Sequence, residues 1–311
     1  MQVISQLVLL IIGFVLLVKG ADWFVDGVSG IAERFGIPQL VIGLTIVAMG
    51  TSAPEAAVSI TAALQGTADI TIGNILGSNI LNILIILGIT SVITSVAVQE
   101  STFKIEIPFV IAITVILLVF GMTGGTVTRL EGVGLIALFI GFLVYLFRMA
   151  MRDKDDHAEE EEAPEPLWKL AILTVIGIAM VVVGSDVVVD SASELALIFG
   201  MSQRFIGLTI VALGTSLPEL VTSVVAATKG KADIAIGNIV GSNIFNILFV
   251  VGITALIVPV PFASSFLVDA LAATLAAVVL WLCLIRNRKL VRPHGIIMLA
   301  IYACYFVYLL M

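Results

Sequence analysis

Residues 43–90 read GLTIVAMGTSAPEAAVSITAALQGTADITIGNILGSNILNILIILGIT, and residues 207–254 read GLTIVALGTSLPELVTSVVAATKGKADIAIGNIVGSNIFNILFVVGIT. The two blocks align without a gap at an offset of 164 residues, and 32 of their 48 positions are identical. Each block carries one glutamate, Glu55 or Glu219, within an otherwise apolar stretch. Because this identity is too extensive for chance, we interpret the chain as a duplicated unit of about 160 residues.

The composition is that of a membrane protein. Hydrophobic residues make up 60% of the 311 positions, charged residues make up 12%, and the mean hydropathy is +1.20. A chain of this composition would expose far too much apolar surface if it folded in water. Apolar runs of about 20 residues, the length that crosses the hydrocarbon core of a bilayer, recur along the sequence. We therefore predict an all-α polytopic membrane protein.

Ten apolar spans can be read along the chain, five in each copy of the duplicated unit. The predicted spans cover residues 3–17, 38–64, 70–96, 107–122, 132–149, 167–189, 205–227, 234–259, 266–285 and 295–310. Because five is an odd number, the second copy must enter the membrane from the side opposite to the first. We therefore predict two inverted five-helix repeats, at residues 1–151 with the motif 43–90 and at residues 167–311 with the motif 207–254.

The distribution of lysine and arginine predicts the orientation in the cell membrane. If both termini lie outside, 13 of the 15 basic residues fall on the inner side, and only Arg129 and Arg204 fall outside. The acidic linker at residues 152–166, RDKDDHAEEEEAPEP, is then cytoplasmic. We interpret it as a solvated connection, although its carboxylates could also attract cations loosely. Nothing in the sequence indicates a nucleic-acid partner or an obligate protein partner.

The sequence G-T-S-x-P-E, at residues 50–55 and 214–219, predicts a break within a membrane span. Proline removes a backbone donor and obstructs the carbonyl one turn earlier, and the preceding glycine loosens the helix further. Carbonyl groups that are freed at this depth must find protein, water or an ion as a partner. The break is therefore a candidate binding position.

The oxygen atoms around this break indicate a site for a hard cation. Thr51 and Glu55 are four residues apart and share a helix face, with Ser52 adjacent. Carboxylate, hydroxyl and carbonyl oxygens are the ligands that hard cations prefer, and no histidine or cysteine lies nearby. The second copy repeats the pattern with Thr215, Ser216 and Glu219.

A lone glutamate in an apolar run could instead be a protonated residue that only braces neighbouring helices. Two glutamates at equivalent positions of inverted repeats make that interpretation less favourable, because inversion brings Glu55 and Glu219 together near the centre of the bilayer. An uncompensated acid there costs roughly 2.5–3.5 kcal/mol on insertion scales. Two carboxylates would balance one divalent cation.

A second motif, G-N-x-x-G-S-N-x-x-N, follows in each copy. Its glycines are four residues apart, which allows close approach between helices. Its three asparagines must be satisfied by protein, water or a ligand. Ser78 and Asn82 share a helix face, as do Ser242 and Asn246, and we assign these four to cation coordination. We assign the remaining asparagines to hydrogen bonds between helices.

These paired motifs, GTSAPE with GNILGSNILN and GTSLPEL with GNIVGSNIFN, resemble the two alpha-repeats of the sodium/calcium exchanger family, in its prokaryotic type, within the cation/calcium antiporter superfamily. The resemblance covers nearly the whole chain. It implies four cation sites in a central diamond, Ca²⁺ and Na⁺ as transported ions, and no cofactor. The ligands that it implies are Thr51, Ser52, Glu55, Ser78, Asn82, Thr215, Ser216, Glu219, Ser242, Asn246 and the carbonyl groups of Ala48 and Ala212.

The resemblance implies an antiporter rather than an enzyme. In the family, about three Na⁺ exchange for one Ca²⁺ by alternating access, and the first and sixth helices slide across a fixed core. Some microbial members and the potassium-dependent branch carry aspartate where this chain has Asn246, so the neutral amide favours exchange without K⁺.

Three alternatives remain open on the residues alone. The same two glutamates could support calcium/proton antiport, since protonation would release a bound metal. A cation channel is compatible with duplication. An intramembrane hydrolase with Ser52 or Ser216 as nucleophile is disfavoured, because neither motif contains a histidine or lysine to act as base.

Overall fold

The computed structural model of the protein describes residues 2–156, 165–201 and 212–310. Within these residues, eight helices are long and apolar enough to cross a membrane, and the count is nine if the bent pair Gln39–Thr51 and Ala53–Leu64 forms one span. The prediction of an all-α, multi-pass membrane protein is confirmed. The first part of the seventh predicted span, 205–227, lies outside the described residues.

Most of the described residues lie in helices. A three-residue helical turn, Ala212–Gly214, precedes the eighth labelled helix. The labelled helices are α1 (Gln2–Phe35), α2 (Gln39–Thr51), α3 (Ala53–Leu64), α4 (Ile70–Ile93), α5 (Thr102–Gly124), α6 (Arg129–Asp156), α7 (Leu167–Ile198), α8 (Leu217–Thr228), α9 (Ala232–Ile257), α10 (Phe266–Leu284) and α11 (Arg292–Leu310).

Two helices are much longer than the apolar spans that predicted them. The span 3–17 ends shortly before Lys19 and the span 167–189 ends before Asp190, whereas α1 continues to Phe35 and α7 continues to Ile198. Each helix ends just before a glycine with positive φ, Gly36 (φ 61°) or Gly200 (φ 82°). Since only glycine adopts this left-handed conformation readily, these equivalent glycines stop the helices, and the change in hydropathy does not.

The centre of the molecule is formed by α4 and α9. Of their most apolar windows, 78% and 83% of the residues are buried, against 17% for α1 and 28% for α7. Buried apolar side chains of α4 and α9, including Ile72, Ile80, Ile239 and Ile244, belong to one large core cluster. The π-helical turns Asn82–Leu87 and Asn246–Val251 lie at equivalent positions within these two helices.

The long helices α1 and α7 pack along each other and have their own small apolar cluster. Glycines allow the two backbones to approach closely. A Cβ atom on Gly20 would lie 2.8 Å from the carbonyl oxygen of Gly177, and one on Gly184 would lie 2.7 Å from the backbone nitrogen of Leu17. Larger residues at these positions would force the helices apart.

Two short strand pairs connect the duplicated halves. β1 (Val96–Ala97) pairs antiparallel with β4 (Lys289–Leu290), and β2 (Thr126–Val127) pairs antiparallel with β3 (Val260–Pro261). At the offset of 164 residues, β1 coincides with β3, and β2 falls within one residue of β4. Each half of the chain therefore contributes one strand to each pair, and the pairing is reciprocal.

Candidate cation-binding site

The G-T-S-x-P-E motif breaks the helix in both copies, as predicted. Ser52 (φ −83°, ψ 8°) separates α2 from α3, and the two helices are bent by 49°. Ser216 (φ −93°, ψ 3°) separates the turn Ala212–Gly214 from α8. A proline lies in the first turn of both α3 and α8, where its missing N–H leaves no hydrogen bond unmade.

The two glutamates lie in the first turns of α3 and α8 and are almost fully buried. Glu55 is 1% exposed and Glu219 is 0% exposed. Each carboxylate therefore lies at the N-terminal end of its helix, where the helix dipole is positive. The two carboxyl groups are close enough to interact electrostatically, as the prediction of a shared central position requires.

Each carboxyl group is held by hydroxyl groups. Ser78 Oγ donates to Glu55 Oε1 at 3.4 Å, and Ser52 Oγ donates to Glu219 Oε1 at 2.8 Å. The spacing along the sequence grouped Ser52 with Glu55 of its own repeat, but the break at Ser52 directs this hydroxyl to the other repeat. Thr215 likewise interacts with Glu55.

Five oxygen atoms of the predicted ligands are buried and have no hydrogen-bond partner within the described chain. They are Glu55 Oε2, Glu219 Oε2, Asn82 Oδ1, Asn246 Oδ1 and Ser216 Oγ. A buried polar atom without a partner costs about 1–3 kcal/mol, and a charged one costs more. A cation that contacts these oxygens would remove that penalty, and an all-oxygen set suits a hard cation such as Ca²⁺ or Na⁺.

Thr51, Ser242 and the carbonyl group of Ala48 lie in the same region and have hydrogen-bond partners within the chain. Thr51 is fully buried and donates to Asn238 Oδ1 at 2.9 Å. The carbonyl oxygen of Ala48 accepts the Ser52 N–H at 3.0 Å and lies 3.4 Å from Ser242 Oγ. This carbonyl is therefore already hydrogen-bonded, although a carbonyl oxygen has a second lone pair.

Two asparagines that the sequence assigned to helix contacts make those contacts beside the glutamates. Asn74 Nδ2 donates to Ser59 Oγ at 3.1 Å and to the carbonyl of Glu55 at 3.3 Å. Asn238 Nδ2 donates to Ser223 Oγ at 2.9 Å and to the carbonyl of Glu219 at 3.4 Å. These equivalent bonds fix α3 to α4 and α8 to α9 at the level of the two carboxylates.

The contact between Asn238 and Thr51 was missed, because a pattern within one repeat does not show which residues meet across the two. The glycine prediction is confirmed in the second copy. A Cβ atom on Gly237 would lie 3.0 Å from Gly43 Cα, and one on Gly241 would lie 2.8 Å from Leu44 Cα, so α9 packs directly on the backbone of α2.

Equivalent acidic residues of the two repeats line different cavities at the two ends of the molecule. A cavity of 600 Å³ extends between α3 and α7 to Thr215 and is lined by Asp186 and Asp190. The equivalent residues of α1, Asp22 and Asp26, instead line a separate cavity of 420 Å³, which none of the described predicted ligands borders.

Ion pairs hold α1 at this second cavity. Lys229 Nζ lies 2.5 Å from Asp22 Oδ1 and 2.7 Å from Asp26 Oδ1, and Lys231 pairs with Glu33 at 2.7 Å. Both lysines lie in the connection between α8 and α9. The candidate site is therefore approached by a cavity from one side, while lysines bind α1 on the other.

Comparison with known proteins identifies the family. A family model described as "Sodium/calcium exchanger protein" matches residues 5–148 and 169–311, which include both copies of the repeat. The chain belongs to the sodium/calcium exchanger family. The match omits residues 149–168, which contain the predicted linker.

Relatives of this exchanger-family chain match it over most of their length. Inner membrane protein YrbG of Escherichia coli strain K12 is 38% identical over 288 residues, which cover 88% of each chain. Sodium/calcium exchanger MaX1 of Methanosarcina acetivorans is 30% identical, with 97% of each chain covered. A solved structure of the sodium-calcium exchanger NCX_Mj, soaked with zero Na⁺ and Ca²⁺, matches with a TM-score of 0.86, 31% identity and 99% coverage of both chains. The family and fold are those of a membrane transporter, not of a catalytic enzyme.

Proposed function

We propose that this exchanger-family protein carries one Ca²⁺ in exchange for about three Na⁺ across the cell membrane by alternating access, without K⁺. The observation that carries the proposal is the set of five buried oxygens without partners in the described residues. Four of them come in equivalent pairs, since each repeat contributes one glutamate oxygen and one asparagine oxygen. Oxygens from both repeats converging on one region fit a single shared cation cluster.

The charge of this cluster sets the coupling. Two carboxylates neutralise one Ca²⁺, whereas three Na⁺ with the same carboxylates leave one positive charge. An exchange cycle then moves one elementary charge, worth about 2.3 kcal/mol per 100 mV of membrane potential. Because both ions use the same oxygens, Ca²⁺ and Na⁺ compete, and competition enforces exchange.

We assign the two glutamates to the central Ca²⁺ position and to the Na⁺ positions that flank it. The neutral side chain of Asn246 supports exchange without K⁺, since it adds no third carboxylate that an additional cation would need. The other proposed ligands are Thr51, Ser52, Ser78, Asn82, Thr215, Ser216, Ser242 and the carbonyls of Ala48 and Ala212.

The proposed architecture is ten spans in two inverted five-helix repeats, with both termini outside and the linker 152–166 in the cytoplasm. The reciprocal strand pairing supports a two-fold relation between the repeats. The asymmetry of basic residues supports the orientation. With this orientation, the cavity at Thr215 opens outward and the ion pairs of Lys229 and Lys231 close the cytoplasmic side.

The helices α1 and α7 are the proposed moving part. They are much less buried than the central helices α4 and α9, and they have an apolar cluster separate from the large core. Glycines bring the backbones of these two helices into direct contact, so the two helices pack as one unit. A rigid pair of this kind can slide across the core and expose the same ligands to the other side.

The test is uptake of calcium-45 into proteoliposomes that contain the purified protein. An outward Na⁺ gradient should drive uptake, and Glu55→Gln and Glu219→Gln should abolish it. Glu106→Gln is the matched control, because Glu106 is also fully buried but is bonded to Tyr145 away from the ligands. Uptake driven by a proton gradient but not by Na⁺ would indicate calcium/proton antiport, and calcium flux without any counter-ion would indicate a channel.

A further inference from the structure

Four asparagines form a reciprocal bridge between the two central helices. Asn79 Nδ2 of α4 donates to the backbone carbonyl of Asn243 in α9, and Asn243 Nδ2 donates to the backbone carbonyl of Asn79, both at 3.3 Å. Asn246 Nδ2 donates to Asn79 Oδ1 at 3.1 Å, and Asn82 Nδ2 donates to Asn243 Oδ1 at 3.0 Å. All four side chains are at most 2% exposed.

The bridge leaves only one orientation for each amide. A backbone carbonyl accepts and never donates, so the NH₂ group of Asn79 must face the carbonyl of Asn243. Its Oδ1 atom must then face α9, where it accepts from Asn246. Because Asn246 directs its NH₂ group to Asn79, its own Oδ1 is turned away from the bridge, and the same argument turns Asn82 Oδ1 away from Asn243.

The two oxygens oriented in this way belong to the unpartnered set. Asn82 Oδ1 and Asn246 Oδ1 are buried and have no hydrogen-bond partner in the described residues. Each of these asparagines begins a π-helical turn, a local widening of the helix that is frequent at functional sites. An amide can bind a cation only through its oxygen, so the orientation of the side chain decides whether it is a ligand.

We infer that Asn79 and Asn243 are positioning residues of the exchange reaction, each of which orients the amide ligand of the opposite repeat toward the cation. Asn79 acts through Asn246, and Asn243 acts through Asn82. This inference rests on the proposed function, because it assumes that Asn82 and Asn246 bind the transported ions. The asparagines of the motif therefore have two roles. Asn82 and Asn246 contact the ion, and Asn79 and Asn243 orient those two side chains.

The geometry also predicts which pairs of asparagine side chains are energetically coupled and which are independent. The amide of Asn243 is fixed by the backbone carbonyl of Asn79, which remains when the side chain of Asn79 is removed. Removal of that side chain should therefore release Asn246 while leaving Asn82 oriented. Energetic coupling should follow a crossed pattern, 79 with 246 and 243 with 82, and not the pairs within one repeat.

The experiment is a set of double-mutant cycles on the purified full-length protein, with Ca²⁺ and Na⁺ binding measured by titration calorimetry. Asn79→Ala should lower Ca²⁺ affinity about tenfold in the wild-type background, as expected for the loss of one oriented hydrogen bond. In the Asn246→Ala background the same substitution should change the affinity less than twofold. Asn243→Ala should behave in the same way with Asn82→Ala.

The matched controls are the pairs within one repeat, Asn79→Ala with Asn82→Ala and Asn243→Ala with Asn246→Ala, whose effects should multiply. If an alanine variant is not recovered as a monodisperse protein, Asn79→Leu and Asn243→Leu remove the same hydrogen bonds while filling the space. Equal effects of Asn79→Ala in both backgrounds would overturn the inference and leave a structural bridge. A wild-type titration without Ca²⁺ or Na⁺ binding would overturn the proposed function and the inference together.

Discussion

Ser52 Oγ of the first repeat lies 2.8 Å from Glu219 Oε1 of the second and donates a hydrogen bond to it. The contact joins residues 167 positions apart along the chain. The asparagine bridge crosses between the repeats in the same manner, with Asn246 bonded to Asn79. Neither half of the chain therefore forms the candidate site alone, and a change in one repeat should alter ligands of the other.

Ser52→Ala should lower Ca²⁺ affinity about tenfold, because Glu219 loses a hydrogen bond to a charged group and the proposed cation cluster loses one oxygen. Binding can be measured by calorimetry on the purified protein. Ser59→Ala is a matched control, since Ser59 is equally buried but bonds Asn74 instead of a glutamate side chain. Identical affinities for wild type and Ser52→Ala would remove this hydroxyl from the site.

Gly177→Ala should slow transport and destabilise the packing of α1 on α7. A Cβ atom at this position would lie 2.5 Å from the backbone nitrogen of Phe24, and backbone cannot move aside as a flexible side chain can. We expect a transport rate reduced at least severalfold and a lower Tm, measured in proteoliposomes and by thermal unfolding.

Gly141→Ala in α6 is the control for the glycine substitution. No atom of the described residues lies within 4 Å of a Cβ atom built there. Alanine is favoured over glycine in a helix by about 1 kcal/mol, so this variant should be as stable as wild type or slightly more stable. Equal behaviour of the two variants would contradict the role of the glycine contacts.

Lys229→Gln should weaken the attachment of α1 to the connection between α8 and α9. The equivalent residue of the first repeat is Gln65, so the substitution makes the two ends of the molecule alike. Partly exposed ion pairs contribute about 0.2–1 kcal/mol each, and Lys229 makes two. We expect a Tm lower by a few degrees and easier opening of the side that the lysines close. The opening can be measured as increased labelling of Leu173→Cys, because Leu173 lines the same cavity and makes none of these ion pairs.

The effect of Lys229 should depend on pH in a defined direction. Burial alone would lower the pKa of the ammonium group, but its hydrogen bonds to Asp22 and Asp26 outweigh burial and raise that pKa. A raised pKa in the folded state means that the stabilisation is complete below the ordinary lysine value of about 10.4 and is lost as pH rises through the folded value. The difference in Tm between wild type and Lys229→Gln should thus be constant from pH 6 to 9 and should shrink above about pH 10.4.

The sequence predicted the helix break and most of the local chemistry, because these depend on neighbouring residues. Proline at position 54 and glycine at position 50 interrupt the helix wherever the chain places them. The length of α1 was underestimated for the opposite reason. Hydropathy falls at Asp22, but polar residues do not end a helix, and α1 continues to Phe35, just before Gly36 with its positive φ.

Contacts between the repeats could not be predicted from a pattern within either one. The spacing grouped Ser52 with Glu55, and only the packing of the end of α2 against α8 shows that its partner is Glu219. The asparagines of the second motif look equivalent in sequence. Their roles differ because of the register between α4 and α9. Asn79 accepts a hydrogen bond from Asn246, whereas Asn82 has an amide oxygen without a partner in the described residues.

Tyr145→Phe should destabilise the protein without changing its affinity for Ca²⁺. Tyr145 donates its hydroxyl to the fully buried carboxyl group of Glu106, and removal of this donor leaves a buried acceptor unsatisfied. The expected loss is about 1–3 kcal/mol of unfolding free energy, measured by denaturation, with calorimetric Ca²⁺ binding unchanged. Replacing both partners, as in Glu106→Leu with Tyr145→Phe, should restore much of the loss, since no buried polar group is then unpaired. A Ca²⁺ affinity that falls in Tyr145→Phe would place this pair in the transport site and would contradict the use of Glu106 as a residue outside it.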